Sequence, residues 1–311
     1  MSKAGKEFVK PPLTIEEQIQ LLTGRGLIIN NIISVKHHLR FIGYYRLSAY
    51  FLPFCVNNTQ EKSHNFQENV TFEDILNIYI FDRKLRLLVL DAIERIEIAV
   101  RAVVSDTSSL KYGKNWYEDK HLFDNKFNHQ KFIEKIKEDI DYHNIKNNSQ
   151  NSLKKSEVFI NHYYQKYTSP DLPPSWMVFQ LLPFGSVSRV YKHLNDLDLK
   201  KEIARIINIP YPILDSWLHS LSYLRNISAH HGRLWNRTFT IKPKIINKCK
   251  KDVPYNDKFF AIVFMINYCL NEITMNSYWL TNLEKLIKEY PDISIEKMGF
   301  PKNWRSLSIW K

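Results

Sequence analysis

Apolar residues recur at intervals of three and four along most of this chain. The clearest run lies between Thr71 and Val104, where Ile75, Ile78, Leu85, Leu88, Ala92, Ile96, Ala99 and Val103 fall on one face. A 3.6-residue period of that length predicts an amphipathic helix. Its polar face carries Arg83, Arg86, Glu94, Arg95, Glu97 and Arg101, and Glu97 and Arg101 stand four apart, close enough to pair. Upstream, Thr14-Ile-Glu-Glu17 has the spacing of a capping box and predicts a helix to about Leu22, broken by Gly24 and Gly26. Asn31 to Leu39 predicts a second short helix. Further helices are expected at Lys131–Tyr142, Trp176–Leu182, Pro212–His230, Asp257–Glu272 and Ser277–Glu289. Only Arg237-Thr-Phe-Thr-Ile-Lys242 alternates, which predicts one short strand. The polar run Asn147–Ser152 predicts a loop. The pattern as a whole predicts an all-α chain: an N-terminal helical extension over 1–70 packed on a helical domain over 71–311. That domain carries an insertion at about 106–155, and the whole forms one structural unit.

Composition narrows the class. The chain has 311 residues, 44% of them apolar, and only 8 glycines, which suits helices better than a turn-rich β architecture. Cys55, Cys249 and Cys269 are odd in number and lack zinc spacing, so neither a metal site nor a disulfide framework is expected. No apolar stretch follows the first residues, and the longest apolar run, Phe259–Leu270, is too short to span a bilayer. These features predict a cytoplasmic protein with no membrane partner.

Net charge is +12, and its distribution matters more than its total. Between Asp215 and Asp252 no acidic residue occurs, while Arg225, Arg233, Arg237, Lys242, Lys244, Lys248, Lys250 and Lys251 do. The lysines alone fit an ordinary solvated face. Their coincidence with two histidines points instead to a phosphate-binding surface. A second candidate is Phe41-Ile-Gly-Tyr-Tyr-Arg-Leu-Ser-Ala-Tyr50, where Arg46 stands among aromatics that can stack on bases or fill a core.

The chemistry concentrates in Arg225-Asn-Ile-Ser-Ala-His-His-Gly-Arg-Leu-Trp-Asn-Arg237. On a helix, Asn226 and His230 share a face, Arg233 extends that stripe, Arg237 does so if the helix survives Gly232, and Arg225 lies beside it. RNA supplies its own nucleophile, the 2′-hydroxyl. A neutral imidazole can accept that proton near pH 7, and a guanidinium can brace the phosphate as charge builds, with no metal or cofactor required. The same residues suit RNA binding without cleavage, which stays open as the rival reading. A metal site at His230 and His231 is disfavoured, because adjacent helical residues point about 100° apart.

This string resembles that of the Abi-like family, abortive-infection proteins of the AbiD and AbiF type within the HEPN superfamily of mostly helical RNases. The likeness extends to Phe41–Tyr50, to Phe81-Asp-Arg-Lys-Leu-Arg86 with Ala92–Glu97 and Arg101, to Trp176 and Phe184-Gly-Ser-Val-Ser188, and to Gly299-Phe-Pro301 with Trp304. It implies a HEPN-type bundle and a metal-independent endoribonuclease leaving 2′,3′-cyclic phosphate ends, acting as a toxin in phage defence. It also implies Arg225 and His230 as the catalytic pair with Asn226 beside them, with His231 inside the same spacing; the helical stripe adds Arg233 and Arg237 in support, and on the long helix Glu94 or Arg101 either orients the catalytic group or belongs to a self-paired charged face. Gln180 stands where an acidic residue is expected. Such sites take two copies of the pair. Arg189 and His193 have too few residues between them to be a second copy, so a homodimer is expected. The implied partners are an RNA substrate and an inhibitory or structured non-coding RNA or antitoxin.

Overall fold

The computed structural model describes residues 9–56, 64–140 and 158–310. The Asn147–Ser152 loop and the end of the Lys131–Tyr142 helix lie outside them. The chain is all-α: among the described residues there are α-helices and short 3-10 turns but no strands. It divides into two compact units, residues 1–84 with 290–293, and residues 85–289 with 294–311.

In the first unit, helix α1 (Ile15–Gly24) begins with the expected capping box: Thr14 caps the Glu17 amide and the Glu17 carboxylate accepts from the Thr14 amide at 2.7 Å. Helix α2 (Ile32–Phe41) is capped by Asn31. A five-residue helix, α3 (Tyr44–Ser48), follows Gly43, whose φ of 90° lets the chain turn between them. The aromatic run is split. Leu47 and Tyr50 enter the core, and the Tyr50 hydroxyl donates to buried Asp82 at 2.6 Å, while Phe41, Tyr45 and Arg46 are exposed.

The long helix α4 (Phe72–Tyr112) runs two turns beyond the expected end. Past Val104 its inner face changes from apolar to small hydroxyl residues, so periodicity loses it. Ser105 and Ser109 instead meet Ser175 at 3.0 and 2.6 Å. Gly113, at φ 86°, ends it.

The second unit holds α5 (His129–Asp139), α6 (Val158–Lys166), α7 (Ser175–Leu181), α8 (Phe184–His193), α9 (Leu197–Ile206), α10 (Tyr211–Ala229), α11 (Phe259–Ile273) and α12 (Trp279–Glu289). Helix α11 is buried on nearly every side, as its run of apolar residues requires. Tryptophans tie the core together through their indole N–H groups: Trp217 donates to the Lys244 carbonyl at 2.7 Å and Trp279 to Leu88 at 2.8 Å. The expected strand at 237–242 does not form. That stretch is irregular, and Phe239 makes one backbone bond, to the Asp257 carbonyl at 2.9 Å, so the alternation finds no ladder. All three cysteines are buried and unbridged. Among the described residues no helix is long and apolar enough to cross a membrane.

Candidate functional site

Helix α10 enters through Pro210 and Pro212 and turns Leu214, Trp217, Leu218, Leu221 and Leu224 inward. His219, Ser222 and Asn226 follow at spacings of three and four, with Arg225 beside them. They form the stripe that faces α8. That helix buries Phe184, Val187, Val190 and Tyr191 and leaves Arg189 exposed and His193 partly so. The two helices pack against each other. Their approach depends on Gly185, where a β-carbon would stand 2.9 Å from the Ser222 hydroxyl.

The segment before α5 makes a third wall. It is fastened to the end of α8 on both sides of Leu194: the Asp124 amide donates to the His193 carbonyl at 2.9 Å, and the Asn195 amide donates to Leu122 at 2.8 Å. The His193 Nδ1 lies 3.0 Å from both Asp124 carboxylate oxygens. Burial raises the Asp124 pKa, but hydrogen bonds from His193 and from backbone amides outweigh it and hold the carboxyl below its ordinary value. Asn128 caps α5 by accepting from the Lys131 amide at 3.0 Å, which aims Lys131 and Lys135 into the same space.

These walls enclose a cleft of about 680 Å3. Lys126, Lys131, Lys135, Arg189 and Arg225 line it, together with His193, His219, Asn226, Phe127 and Phe132, and among the described residues no Asp or Glu does. Lys135 is partly neutralised, with Asp139 at 2.8 Å. Such a hollow has the charge and polarity to hold a polyanion.

The sequence-derived residues divide. Arg225 and Asn226 line the cleft. His230 does not; it is exposed and caps the end of α10, its amide bonding the Asn226 carbonyl at 3.0 Å. The helix therefore stops at Ala229, and the stripe cannot continue to Arg233 and Arg237. His231 takes a left-handed conformation at φ 58°, the Gly232 amide reaches back to Ile227 at 2.7 Å, and that of His231 to Ser228 at 3.1 Å. This is a Schellman closure, and it turns the chain away. Arg237 instead bonds the Arg233 carbonyl at 3.3 Å. The Thr240 hydroxyl and the Arg237 guanidinium together hold the Tyr223 phenol below its usual range, against the opposing effect of burial. Trp235 is core, donating to Ser294 at 3.3 Å.

Arg101 acts on the backbone. It pairs with Glu97 and donates to the Leu182 carbonyl at 2.7 Å, fixing the segment from which α8 starts. Glu94 is exposed and lies outside the cleft lining, as does Gln180. Lys242, Lys244, Lys248, Lys250 and Lys251 are all exposed and none lines the cleft; Lys242 sits 3.5 Å from Asp257. Arg46 belongs to the other unit. Among the described residues no three His, Cys, Asp or Glu side chains gather as a metal would need.

Reasoning from sequence missed Lys126, Lys131, Lys135, Arg189, His193 and His219. Arg189 and His193 failed as a second Arg–His pair on spacing, yet the fold places both on the cleft that Arg225 lines. Their four-residue separation on an amphipathic helix was the available signal.

The sequence model describing Abi-like proteins matches residues 37–236. This chain belongs to the Abi-like family. The match takes in every residue lining the cleft and all of Arg225–Asn236, and it ends before the lysines at 242–251. For this Abi-like chain no curated protein and no solved structure gave a match.

Proposed function

We propose that this chain is a metal-independent endoribonuclease of the HEPN type, serving abortive infection as its Abi-like membership suggests. One observation carries the reading: Arg225 and Asn226 open onto a cleft lined by cations and, among the described residues, by no acid, with exposed His230 one helical turn further on. Arg225, with Arg189 across the cleft, braces the scissile phosphate. The imidazole of His230 takes the proton from the 2′-hydroxyl, which then attacks the adjacent phosphorus and expels the 5′-oxygen, and that oxygen takes up a proton from water as it leaves. The products carry a 2′,3′-cyclic phosphate and a 5′-hydroxyl. In a homodimer with α10 at the two-fold axis, a second subunit brings its own histidine to the first subunit's arginines.

The test is cleavage of labelled RNA by purified protein in excess chelator. The expected ends are 2′,3′-cyclic phosphates. His230→Ala should slow cleavage by about 100- to 10,000-fold, the usual yield of a general base. Ends with a free 3′-hydroxyl, or full activity in His230→Ala, would overturn the mechanism. A second reading, RNA binding without cleavage, is favoured by one fact: within a single chain His230 does not line the cleft. Tight RNA binding with intact RNA after prolonged incubation would decide for it.

A further inference from the structure

One wall of the cleft is aromatic. Buried Trp116 and Phe123 stack with ring centroids 6.2 Å apart and planes 23° from parallel. Phe123 stacks in turn on Phe127, at 4.6 Å and 19°. Phe127 and Phe132, 5.3 Å apart, are both half-buried and both line the cleft. The ring stack thus runs from the core outward and ends among Lys131, Arg189 and Arg225. Apolar ring surface set among Lys131, Arg189 and Arg225 is a poor arrangement for a purely structural wall, since it leaves hydrocarbon facing a charged hollow. It suits a ligand that alternates flat π-surfaces with phosphates.

We infer that the cleft seats an unpaired nucleobase of single-stranded RNA against Phe127 and Phe132, with the flanking phosphates on Lys131, Arg189 and Arg225. This rests on the RNA reading above and goes beyond it in naming the strand class and the base site. A paired base cannot reach the wall, because its faces are covered by neighbours and its edges by its partner. The volume, about 680 Å3, lies within the range of about 300–1,000 Å3 usual for small-ligand sites. It is that of a nucleotide-sized site and not of a duplex channel.

The test measures binding of the full chain to a labelled single-stranded RNA whose riboses are 2′-O-methylated, so that cleavage cannot alter the signal. Three probes share one length: the intact strand, the same strand with abasic positions, and its duplex. The intact strand should bind about tenfold more tightly than the abasic one, as loss of one stacked base implies, and more tightly than the duplex. Phe127→Leu and Phe132→Leu keep the apolar packing but lose the ring. Each should weaken the intact strand several-fold and leave the abasic strand unchanged. Equal affinity for intact and abasic strands overturns the base site, as does duplex binding at full strength. Equal weakening of both strands in the leucine variants also overturns it. If unmodified RNA stays uncut while the expected pattern holds, the nuclease reading fails and the base site stands.

Discussion

At the residue level, the most telling position is where α10 stops. A helix end of this kind usually places glycine in the left-handed residue, because any β-carbon there crowds the following carbonyl. Here the glycine falls one residue late. Gly232 is needed for a different reason: a β-carbon on it would come within 2.8 Å of the Ile227 side chain and 3.1 Å of its carbonyl. The left-handed φ of 58° therefore lands on His231. A non-glycine residue in that region stores about 1–2 kcal/mol. His231→Gly is expected to raise stability by about 1 kcal/mol, less the entropy that glycine loses on folding, seen as a higher Tm in thermal unfolding. Cleavage should persist in that variant and slow by about 100- to 10,000-fold in His230→Ala, since His230 shares the Asn226 face and His231 is turned off it by the closure. Loss of cleavage in His231→Gly would transfer the base to His231.

Among the elements, helices with apolar periodicity were legible in the sequence to within a few residues. Helix α10 was expected at 212–230 and runs Tyr211–Ala229; α12 was expected at 277–289 and runs Trp279–Glu289. Helix α9 escaped, because five of its ten residues are charged and only Leu199, Ile203 and Ala204 are buried. What marks it is its cap. The Asp196 carboxylate accepts from the amides of Asp198 at 2.9 Å and Leu199 at 3.1 Å, and it also holds Lys111 and Tyr112 at the end of α4. Burial alone would raise its pKa, but these donors outweigh burial and leave it far below the ordinary carboxylate range. Because the folded-state value is depressed, its stabilisation is complete above the unfolded value near 4 and is lost as pH falls towards the folded one. Asp196→Ala should cost about 1–2 kcal/mol at pH 7. In denaturant titrations the gap between variant and parent should narrow steadily below about pH 4. A gap that stays constant down to pH 2 would mean that the carboxylate charge does not matter and the cap geometry alone does. The site was half legible for the same reason as the helices. Arg225 and Asn226 lie in one local string, whereas Lys126–Lys135 and Arg189–His193 come to the same cleft only through the tertiary fold.

For the whole molecule the proposed function raises the question of which positive charges would meet RNA. The sequence drew attention to the lysines at 242–251, but the fold gathers a different set, Lys126, Lys131, Lys135, Arg189 and Arg225, around one hollow. Counterion release separates the two. Each phosphate neutralised on a single strand adds about −0.7 to the slope of log affinity against log salt. Five cleft cations set a slope of about −3.5; Lys135, already 2.8 Å from Asp139, brings it nearer to about −2.8. Arg189→Ala should therefore weaken single-stranded RNA binding and flatten the slope by about 0.7. Exchanging Lys248, Lys250 and Lys251 for alanine together should leave the slope unchanged, because these exposed side chains do not line the cleft. Titration of both variants at several salt concentrations measures this directly. A slope unmoved by Arg189→Ala but halved by the triple exchange would relocate the RNA path from the cleft to the basic segment after Arg237. The arginine of the mechanism would then have to act away from the surface that holds the strand, and an Arg225 so placed could not brace a phosphate bound elsewhere.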